Sequence, residues 1–149
     1  MRTLAIDLGT KRVGLAMSDE GGRFATPLDV LHVSNPEDAI FQVLKHVRGE
    51  SVEQILLGLP LNMDDSIGPM GRQTLAWGAA LQEQSHLPVV YVDERLSSFE
   101  AEQQLIARKR GGEKITRRQK KDRLDALAAT HFLQAFLDGK LRPILPPVP

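Results

Sequence analysis

The 149-residue sequence contains no cysteine. This absence excludes a disulfide framework, a thiolate zinc site and a cysteine nucleophile. Aromatic residues make up only 5% of the chain, which argues against a platform that binds single strands by stacking bases. Trp77 and Tyr91 are expected in the core. The histidines have no spacing typical of metal ligands, and we assign no chemistry to any of them: His32, His46, His86 and His131.

Long apolar runs are also missing. The first apolar stretch, TLAIDLG, is interrupted by Asp7 and is too short for a membrane span or a signal-peptide core. The length fits one domain that folds alone, and 42% hydrophobic and 26% charged residues are ordinary values for a soluble globular protein. We therefore expect a single domain over residues 1–149, a cytoplasmic location and no membrane partner.

The net charge is zero, but positive charge is concentrated in one segment. Residues 108–123 contain nine basic and two acidic residues, a net charge of +7, which leaves −7 on the rest of the chain. A basic stripe on an acidic body is typical of a phosphate-contacting surface. The alternative is a solvated, flexible loop.

The apolar pattern predicts an α/β fold. Three strands joined by glycine-containing turns are followed by alternating helices and strands, which indicates a mixed sheet with helices on its faces. The predicted strands are Arg2–Leu8, Val13–Ser18, Ala25–Val33, Gln54–Leu59 and 88–93. The predicted helices are one that opens at Asn35-Pro36 and others near Met70–Gln84, Ser97–Ala107 and Arg118–Leu137, and an extended tail follows.

Asp7 stands near the end of the first predicted strand. It shares its face of the strand with Ala5 and Gly9, which are small. The space around this carboxylate could receive a ligand. The alternative is a turn aspartate that caps Gly9-Thr10.

The strand VVYVD runs directly into charged residues, Asp93, Glu94 and Arg95. Because α/β sheets usually bind ligands at the carboxyl ends of parallel strands, we expect a carboxylate here to belong to a site. Alternation places Asp93 and Glu94 on opposite faces and does not decide which one faces that site. A surface salt bridge with Arg95 is the alternative.

Asp125 lies in the last predicted helix. At helical spacing it shares an apolar face with Ala128, Ala129 and Phe132. A charge on such a face is costly unless it is paired or bound to a metal. The small alanines would let the helix lie close to the sheet. The alternative is an ordinary first-turn aspartate, because Asp122 is also near the helix start.

These carboxylates could converge at one place. Two carboxylates about 5 Å apart repel by about 3 kcal/mol at an effective dielectric constant of about 20, so a cluster raises a pKa or holds cations. Oxygen ligands without cysteine or clustered histidine favour Mg²⁺ or Mn²⁺ over zinc. Two such ions, about 4 Å apart, are the usual apparatus for attack of water on a phosphodiester. The sequence therefore indicates a metal-dependent phosphodiesterase.

Four segments resemble the YqgF/RuvX family of pre-16S rRNA nucleases, which are similar to Holliday-junction resolvases. The matching segments are AIDLGTKRVGLAMSD, LLGLPLNMDDS, VVYVDERLSSFEAE and RLDALAATHFLQAFL. Each motif alone is weak, but together they are in register over nearly the whole chain. The resemblance implies a ribonuclease-H-like fold with a five-stranded mixed sheet in the order 3-2-1-4-5 and helices on both faces.

The resemblance also implies a catalytic, metal-binding triad of Asp7, Glu94 and Asp125, and it selects Glu94 over Asp93. It implies a divalent-metal requirement and a role in maturation of the 5′ end of pre-16S rRNA. The sequence departs from the family pattern at Asp64-Asp65, where a glycine often follows the first aspartate, so this turn is expected to differ. The residues before the last motif are unusually basic, which we expect to affect substrate binding and not the chemistry.

Basic residues near the proposed triad are candidates for contact with the nucleic-acid backbone. The candidates are Lys11, Arg12, Arg95, Arg108, Lys109, Arg110, Lys114, Arg117, Arg118, Lys121 and Arg123. For Lys11 and Arg12 the alternative is a plain polar turn. Arg95 could stabilise charge on the phosphate or form a structural ion pair. Asn62 and Asp64 could line the cleft or only shape their loop.

The leading hypothesis is a metal-dependent nuclease acting on structured RNA or branched DNA. We favour RNA and a monomer, because a junction resolvase tends to be a dimer and no dimer face is readable in the sequence. The alternatives are a resolvase-like DNA endonuclease and a non-catalytic assembly factor that binds nucleic acid. An ATP-binding domain is a further alternative, because Asp-Leu-Gly-Thr resembles the phosphate hairpin of actin-like ATPases, which need two such domains.

Overall fold

The computed structural model describes residues 1–95 and 117–145, and of residues 117–125 it describes the backbone alone. The predicted helix Ser97–Ala107 lies outside the described residues. So do four of the predicted nucleic-acid contacts, Arg108, Lys109, Arg110 and Lys114. In the described part of the chain, no helix is long and apolar enough to cross a membrane.

The described residues form a five-stranded mixed sheet with helices on both faces. Its strands are β1 (Thr3–Leu8), β2 (Arg12–Ser18), β3 (Ala25–His32), β4 (Gln54–Leu59) and β5 (Val89–Asp93). The helices are α1 (Pro36–Gly49), α2 (Pro69–Ser85) and α3 (Arg117–Leu137). Each bound that the sequence predicts for these elements lies within one residue of the observed bound; the end of α1 was not predicted.

The strand order is β3-β2-β1-β4-β5, as predicted. Strands β1, β2 and β3 pair antiparallel, whereas β4 is parallel to both β1 and β5. The three parallel strands therefore present their carboxyl ends at the same edge of the sheet, where α/β proteins usually bind ligands.

Side chains of β1 alternate between two cores on opposite faces of the sheet. Leu4 and Ile6 are buried in the core that α1 and α2 cover, whereas Ala5 is buried in the core that α3 covers with Ala129 and Phe132. Because strand side chains alternate, the residue two positions after Ala5 also belongs to the α3 face.

The hairpin between β1 and β2 turns at Gly9, two residues after Asp7. The Gly9 amide donates a hydrogen bond of 2.9 Å to the carbonyl oxygen of Arg12. A Cβ atom at residue 9 would lie 2.5 Å from that oxygen, so only glycine fits this approach. The tight turn places the hairpin residues at the edge that carries Asp7.

Helix α3 is anchored to the sheet near its carboxyl end. The Gln134 amide nitrogen donates to the carbonyl oxygen of Arg23 at 2.9 Å, and its oxygen accepts from the Ala25 amide at 2.9 Å. Both acceptor and donor lie in or beside the start of β3. These contacts fix the end of α3 far from the carboxyl edge of β1, so the helix begins nearer that edge.

Candidate active site

Asp7 and Glu94 lie at the same edge of the sheet. Asp7 is the penultimate residue of β1, and Glu94 directly follows β5. The two strands are separated by β4, which is parallel to both. This arrangement agrees with the expectation that the carboxyl ends of parallel strands bring functional groups together.

The two side chains meet on the α3 face. Val92, two residues before Glu94, is buried in the α3-side core, so alternation places Glu94 on that face with Asp7. The side chains of Asp7 and Glu94 lie within hydrogen-bonding reach of each other. Two carboxylates this close repel each other unless a proton or a cation lies between them, so the pair favours a positive charge.

The environment of Glu94 disfavours its negative charge. Burial raises the pKa of Glu94 above its ordinary value, repulsion from Asp93 raises it further, and the hydrogen bond with Asp7 opposes part of this rise. A divalent cation between the two carboxylates would supply the compensating charge, and their oxygen atoms are the ligands that Mg²⁺ and Mn²⁺ prefer.

Gly58 provides the space that the Glu94 carboxylate occupies. It lies in β4 opposite Val92 of β5. A Cβ atom at residue 58 would lie 2.7 Å from Oε2 of Glu94 and 3.0 Å from the ring of Phe132. Gly58 is not among the predicted site residues, although a glycine within the apolar strand QILLGL is a signal of close backbone approach.

Asp125 belongs to α3, but its side chain lies outside the described part of the structure. Residue 125 is two helical turns before Phe132 on the same helix face, a rise of about 10 Å. Ala128 and Ala129 are 3% and 0% exposed, so the small residues do bring α3 close to the sheet. The participation of Asp125 remains a prediction. Among the described side chains alone, no group of three or more potential metal ligands occurs.

Asp93 and Arg95 flank Glu94 and form an ion pair. The Nη2 and Oδ2 atoms are 2.7 Å apart, and Nε of Arg95 donates to both carboxylate oxygens at 3.0 and 3.1 Å. Partial burial acts to raise the pKa of Asp93, but the hydrogen bonds and the charge of Arg95 outweigh it and hold this pKa below its ordinary value. The described contacts of Arg95 therefore match the ion-pair alternative, and its contact with nucleic acid stays a prediction.

The loop after β4 is organised by its own side chains. The Asp64 carboxylate accepts hydrogen bonds from the amide and the hydroxyl of Ser66, which lower the pKa of Asp64. Asn62 donates to the same hydroxyl at 3.0 Å. Asp65 has a φ of 67°, a left-handed conformation that aspartate tolerates better than most residues. The described contacts of Asn62 and Asp64 are thus those of loop residues.

The remaining predicted contact residues fall into two groups. Lys11 is exposed in the hairpin after Asp7, and Arg12, which begins β2, is partly buried. Four others lie in the first half of α3, where only the backbone is described: Arg117, Arg118, Lys121 and Arg123. Their contact with nucleic acid is a prediction that no described distance tests.

The strand order β3-β2-β1-β4-β5 is that of a ribonuclease-H-like fold, and the paired carboxylates lie at the carboxyl edge of its parallel strands. Two structures of RuvC from Thermus thermophilus have a similar fold. RuvC alone gives a TM-score of 0.57 at 17% identity, covering 97% of this chain and 100% of that one. RuvC in complex with a Holliday junction substrate gives 0.56 at 16% identity, covering 97% and 99%. At these identities the similarity shows the fold alone.

The chain belongs to the RuvX family, whose model, described as Holliday junction resolvase, matches residues 1–139. A relative from Syntrophomonas wolfei is 39% identical over 139 residues, covering 93% of this chain and 95% of the relative. One from Rhizobium rhizogenes is 42% identical over 134 residues, covering 89% and 78%. Both are named "Putative pre-16S rRNA nuclease". The predicted family and fold are confirmed, and with them the prediction that the protein is a nuclease, a class of hydrolase.

Proposed function

We propose that the protein is a divalent-metal-dependent nuclease that cuts phosphodiester bonds during maturation of the 5′ end of pre-16S rRNA. The observation that carries this proposal is the contact between Asp7 and Glu94 at the carboxyl edge of the sheet. The names of the curated relatives support pre-16S rRNA as the substrate. The proposed nuclease is a single domain over residues 1–149, acts as a monomer and works in the cytoplasm.

The paired carboxylates fit a divalent-metal site. Their donor set is oxygen only, and a positive charge between two carboxylates this close together relieves their repulsion. Asp7, Glu94 and Asp125 would hold two Mg²⁺ or Mn²⁺ ions. Such ions, when bound, supply the positive charge that activates a water molecule and stabilises the leaving oxygen.

The protein residues bind and orient the substrate at this centre. Asp7 and Glu94 hold their carboxylates at the end of two fixed strands, so little reorganisation accompanies the reaction. Gly58 leaves the space that the Glu94 carboxylate occupies. Lys11 extends from the neighbouring hairpin, and the basic residues of α3 contact the phosphate backbone by charge, which makes binding salt-dependent.

A DNA junction is the second candidate substrate. The family model is described as Holliday junction resolvase, and one of the structures with a similar fold is RuvC in complex with a Holliday junction substrate. A resolvase must cut two strands symmetrically and therefore tends to be a dimer. Substrate competition separates this function from rRNA maturation.

The test is cleavage of an end-labelled pre-16S rRNA fragment, with a four-way DNA junction as the competing substrate. Wild type, Asp7→Asn and Glu53→Gln are assayed with Mg²⁺, Mn²⁺ or EDTA. Glu53→Gln is the matched control, because it also removes one negative charge but lies exposed at the opposite end of β4.

The proposal predicts metal-dependent cutting of the RNA by wild type and the control. Asp7→Asn should lower the rate about a thousand-fold or more without loss of RNA binding. Faster cutting of the junction would favour the resolvase. RNA binding with equal background cutting by wild type and Asp7→Asn would contradict the nuclease and favour a non-catalytic assembly factor.

A further inference from the structure

The backbone around Glu94 is held from the side opposite to Asp7. Asp93 and Arg95 close a hydrogen-bonded ring around the backbone of Glu94. The Arg95 amide donates to Oδ1 of Asp93 at 3.0 Å, and Nε of the Arg95 guanidinium donates to both oxygens of the same carboxylate. A bidentate arginine–carboxylate pair fixes direction as well as distance. The ring therefore restricts the backbone angles of Glu94.

The same guanidinium also holds the loop that follows β4. Its Nη1 atom donates to the carbonyl oxygen of Asn62 at 2.7 Å, and its Nη2 atom donates to Oδ1 of Asp65 at 2.5 Å. The Asn62 carbonyl oxygen accepts a second hydrogen bond, 2.9 Å long, from the Asp65 amide, which closes the turn. Arg95 thus joins the end of β5 to the turn at residues 62–65.

We propose that Arg95 is a positioning residue that keeps the Glu94 carboxylate against Asp7. Through Asp93 and Asp65 it clamps the end of β5 to the turn at residues 62–65, so that residue 94 cannot rotate away from the α3 face. This inference rests on the proposed function, because it assigns Arg95 a role in the same site.

The local charge supports this role over direct contact with substrate. Two carboxylates, Asp93 and Asp65, already surround the single positive charge of Arg95. A phosphate group would have to displace one of them and would meet the negative charge of the other. Asp65 is 77% exposed, so its ion pair adds little to global stability and acts on the local geometry.

Asp65→Asn separates the two roles of Arg95, because the two accounts predict opposite results. Asparagine tolerates the left-handed conformation and keeps the shape of aspartate, so the substitution removes only the charge. If Arg95 positions Glu94, the change from a charged to a weaker neutral hydrogen bond at residue 65 loosens the clamp and lowers kcat about two- to fivefold, with unchanged KM and RNA affinity. If Arg95 binds phosphate, removal of the competing carboxylate tightens RNA binding and steepens its salt dependence. That result would overturn the proposal.

Arg95→Gln and Arg95→Lys complete the test. Arg48→Gln, at an exposed position of α1, controls for the lost positive charge, and Glu83→Gln, at an exposed position of α2, controls for the lost negative charge of Asp65→Asn. The positioning role predicts a fall in kcat of about tenfold or more for Arg95→Gln and partial rescue by lysine, which restores the charge but not the fork. A rise in KM with unchanged kcat would contradict it, as would full rescue by lysine.

Hydrogen exchange provides a readout that needs no activity. The clamp predicts that amides of residues 62–66 exchange faster in Asp65→Asn and faster still, about tenfold, in Arg95→Gln, whereas Glu83→Gln matches wild type. Unchanged exchange in both variants would overturn the clamp even if the nuclease is active. Wild type that does not cut RNA would contradict the proposed function. If the exchange nevertheless changes as predicted, the clamp is a structural element without a catalytic role, and the positioning claim is overturned.

Discussion

At the scale of single residues, Gly58 controls the position of Glu94. A Cβ atom at residue 58 would come within 2.7 Å of Oε2 of Glu94, so Gly58→Ala must move the carboxylate or the strand. We expect the cleavage rate to fall about 10- to 100-fold, because small displacements of catalytic groups have large effects. The melting temperature should fall by a few degrees, since overpacking costs about 1–3 kcal/mol.

Single-turnover cleavage and thermal melting check this expectation. The matched control is Gly49→Ala at the end of α1, where an added Cβ meets no atom within 4 Å. The control should keep full activity. A Gly58→Ala protein that cuts at the wild-type rate would show that the contact with Glu94 is not needed for catalysis.

Glu94 also makes the stability of the metal-free protein depend on pH. A carboxyl group whose pKa is raised by folding binds its proton more tightly in the folded state. The resulting stabilisation is fully present below the ordinary pKa of 4.5 and is lost as the pH rises through the raised value. Wild type should therefore lose stability over this window when no metal is bound.

Glu94→Gln removes this loss, because glutamine keeps the shape without the titrating charge. We expect the metal-free variant to melt about 2–5 °C above wild type near pH 7.5, with the difference shrinking toward pH 4.5. Added Mn²⁺ should stabilise wild type more than the variant. Thermal melts across the pH range measure both effects, and parallel curves for the two proteins would contradict the assignment.

The sequence predicts part of the residue-scale picture. Alternation in β1 places Asp7 correctly beside Ala5, and Trp77 and Tyr91 are buried, as expected. Alternation in β5 separates Asp93 from Glu94 but cannot say which face α3 covers. That choice depends on a helix more than twenty residues further along the chain. The resemblance to the family selected Glu94, which the structure places on the α3 face, and its catalytic role stays a prediction.

At the scale of elements, Gln134 fixes the position of α3 on the sheet. It makes two 2.9 Å hydrogen bonds to backbone groups of Arg23 and Ala25. Gln134→Ala leaves both groups without this partner, which should cost about 1–3 kcal/mol and lower the melting temperature by several degrees. Activity per folded molecule should stay near wild type at low temperature, since the carboxylates are at the other end of the sheet.

Gln134→Glu is the harsher comparison. It keeps the acceptor for the Ala25 amide but turns a carboxylate oxygen toward the Arg23 carbonyl oxygen and the Asp138 carboxylate, so its melting temperature should fall at least as far as that of Gln134→Ala. Denaturation followed by circular dichroism measures the series. An unchanged melting temperature in Gln134→Ala would show that these bonds do not hold α3 in place.

Element bounds are predictable here because glycine, proline and capping residues mark them. Asn35 caps α1 by accepting a 2.8 Å hydrogen bond from the Asp38 amide, and Pro36 occupies the first turn. Backbone pairing between residues far apart in the sequence is harder to predict from the sequence. The bridge between Tyr91 and Ile144, which covers the edge of β5, depends on tertiary contacts that no local pattern encodes.

At the scale of the whole molecule, the separation of charge should govern binding to nucleic acid. The segment 108–123 carries +7 and the rest of the chain −7. Binding of the Asp7→Asn protein to the RNA fragment should therefore weaken steeply between about 50 and about 200 mM salt, because each phosphate contact releases counterions.

Neutralising Arg117, Arg118 and Lys121 to glutamine should reduce the slope of log affinity against log salt by about two to three units. A triple variant with the same charge change, at Arg23 in the loop between β2 and β3 and at Lys45 and Arg48 on α1, is the control and should leave the slope unchanged. Fluorescence anisotropy measures both. Equal slopes in the two triple variants would mean that the segment is not the contact surface.

The central claim is that three carboxylates act as one centre, and Asp125 is the member that most needs a direct test. Single-turnover cleavage of the pre-16S rRNA fragment should compare Asp125→Asn with Asp122→Asn, an identical change in the same helix three residues earlier. We predict that Asp125→Asn loses activity about as completely as Asp7→Asn, while Asp122→Asn cuts like wild type. Equal activity of Asp125→Asn and Asp122→Asn would contradict the three-carboxylate centre.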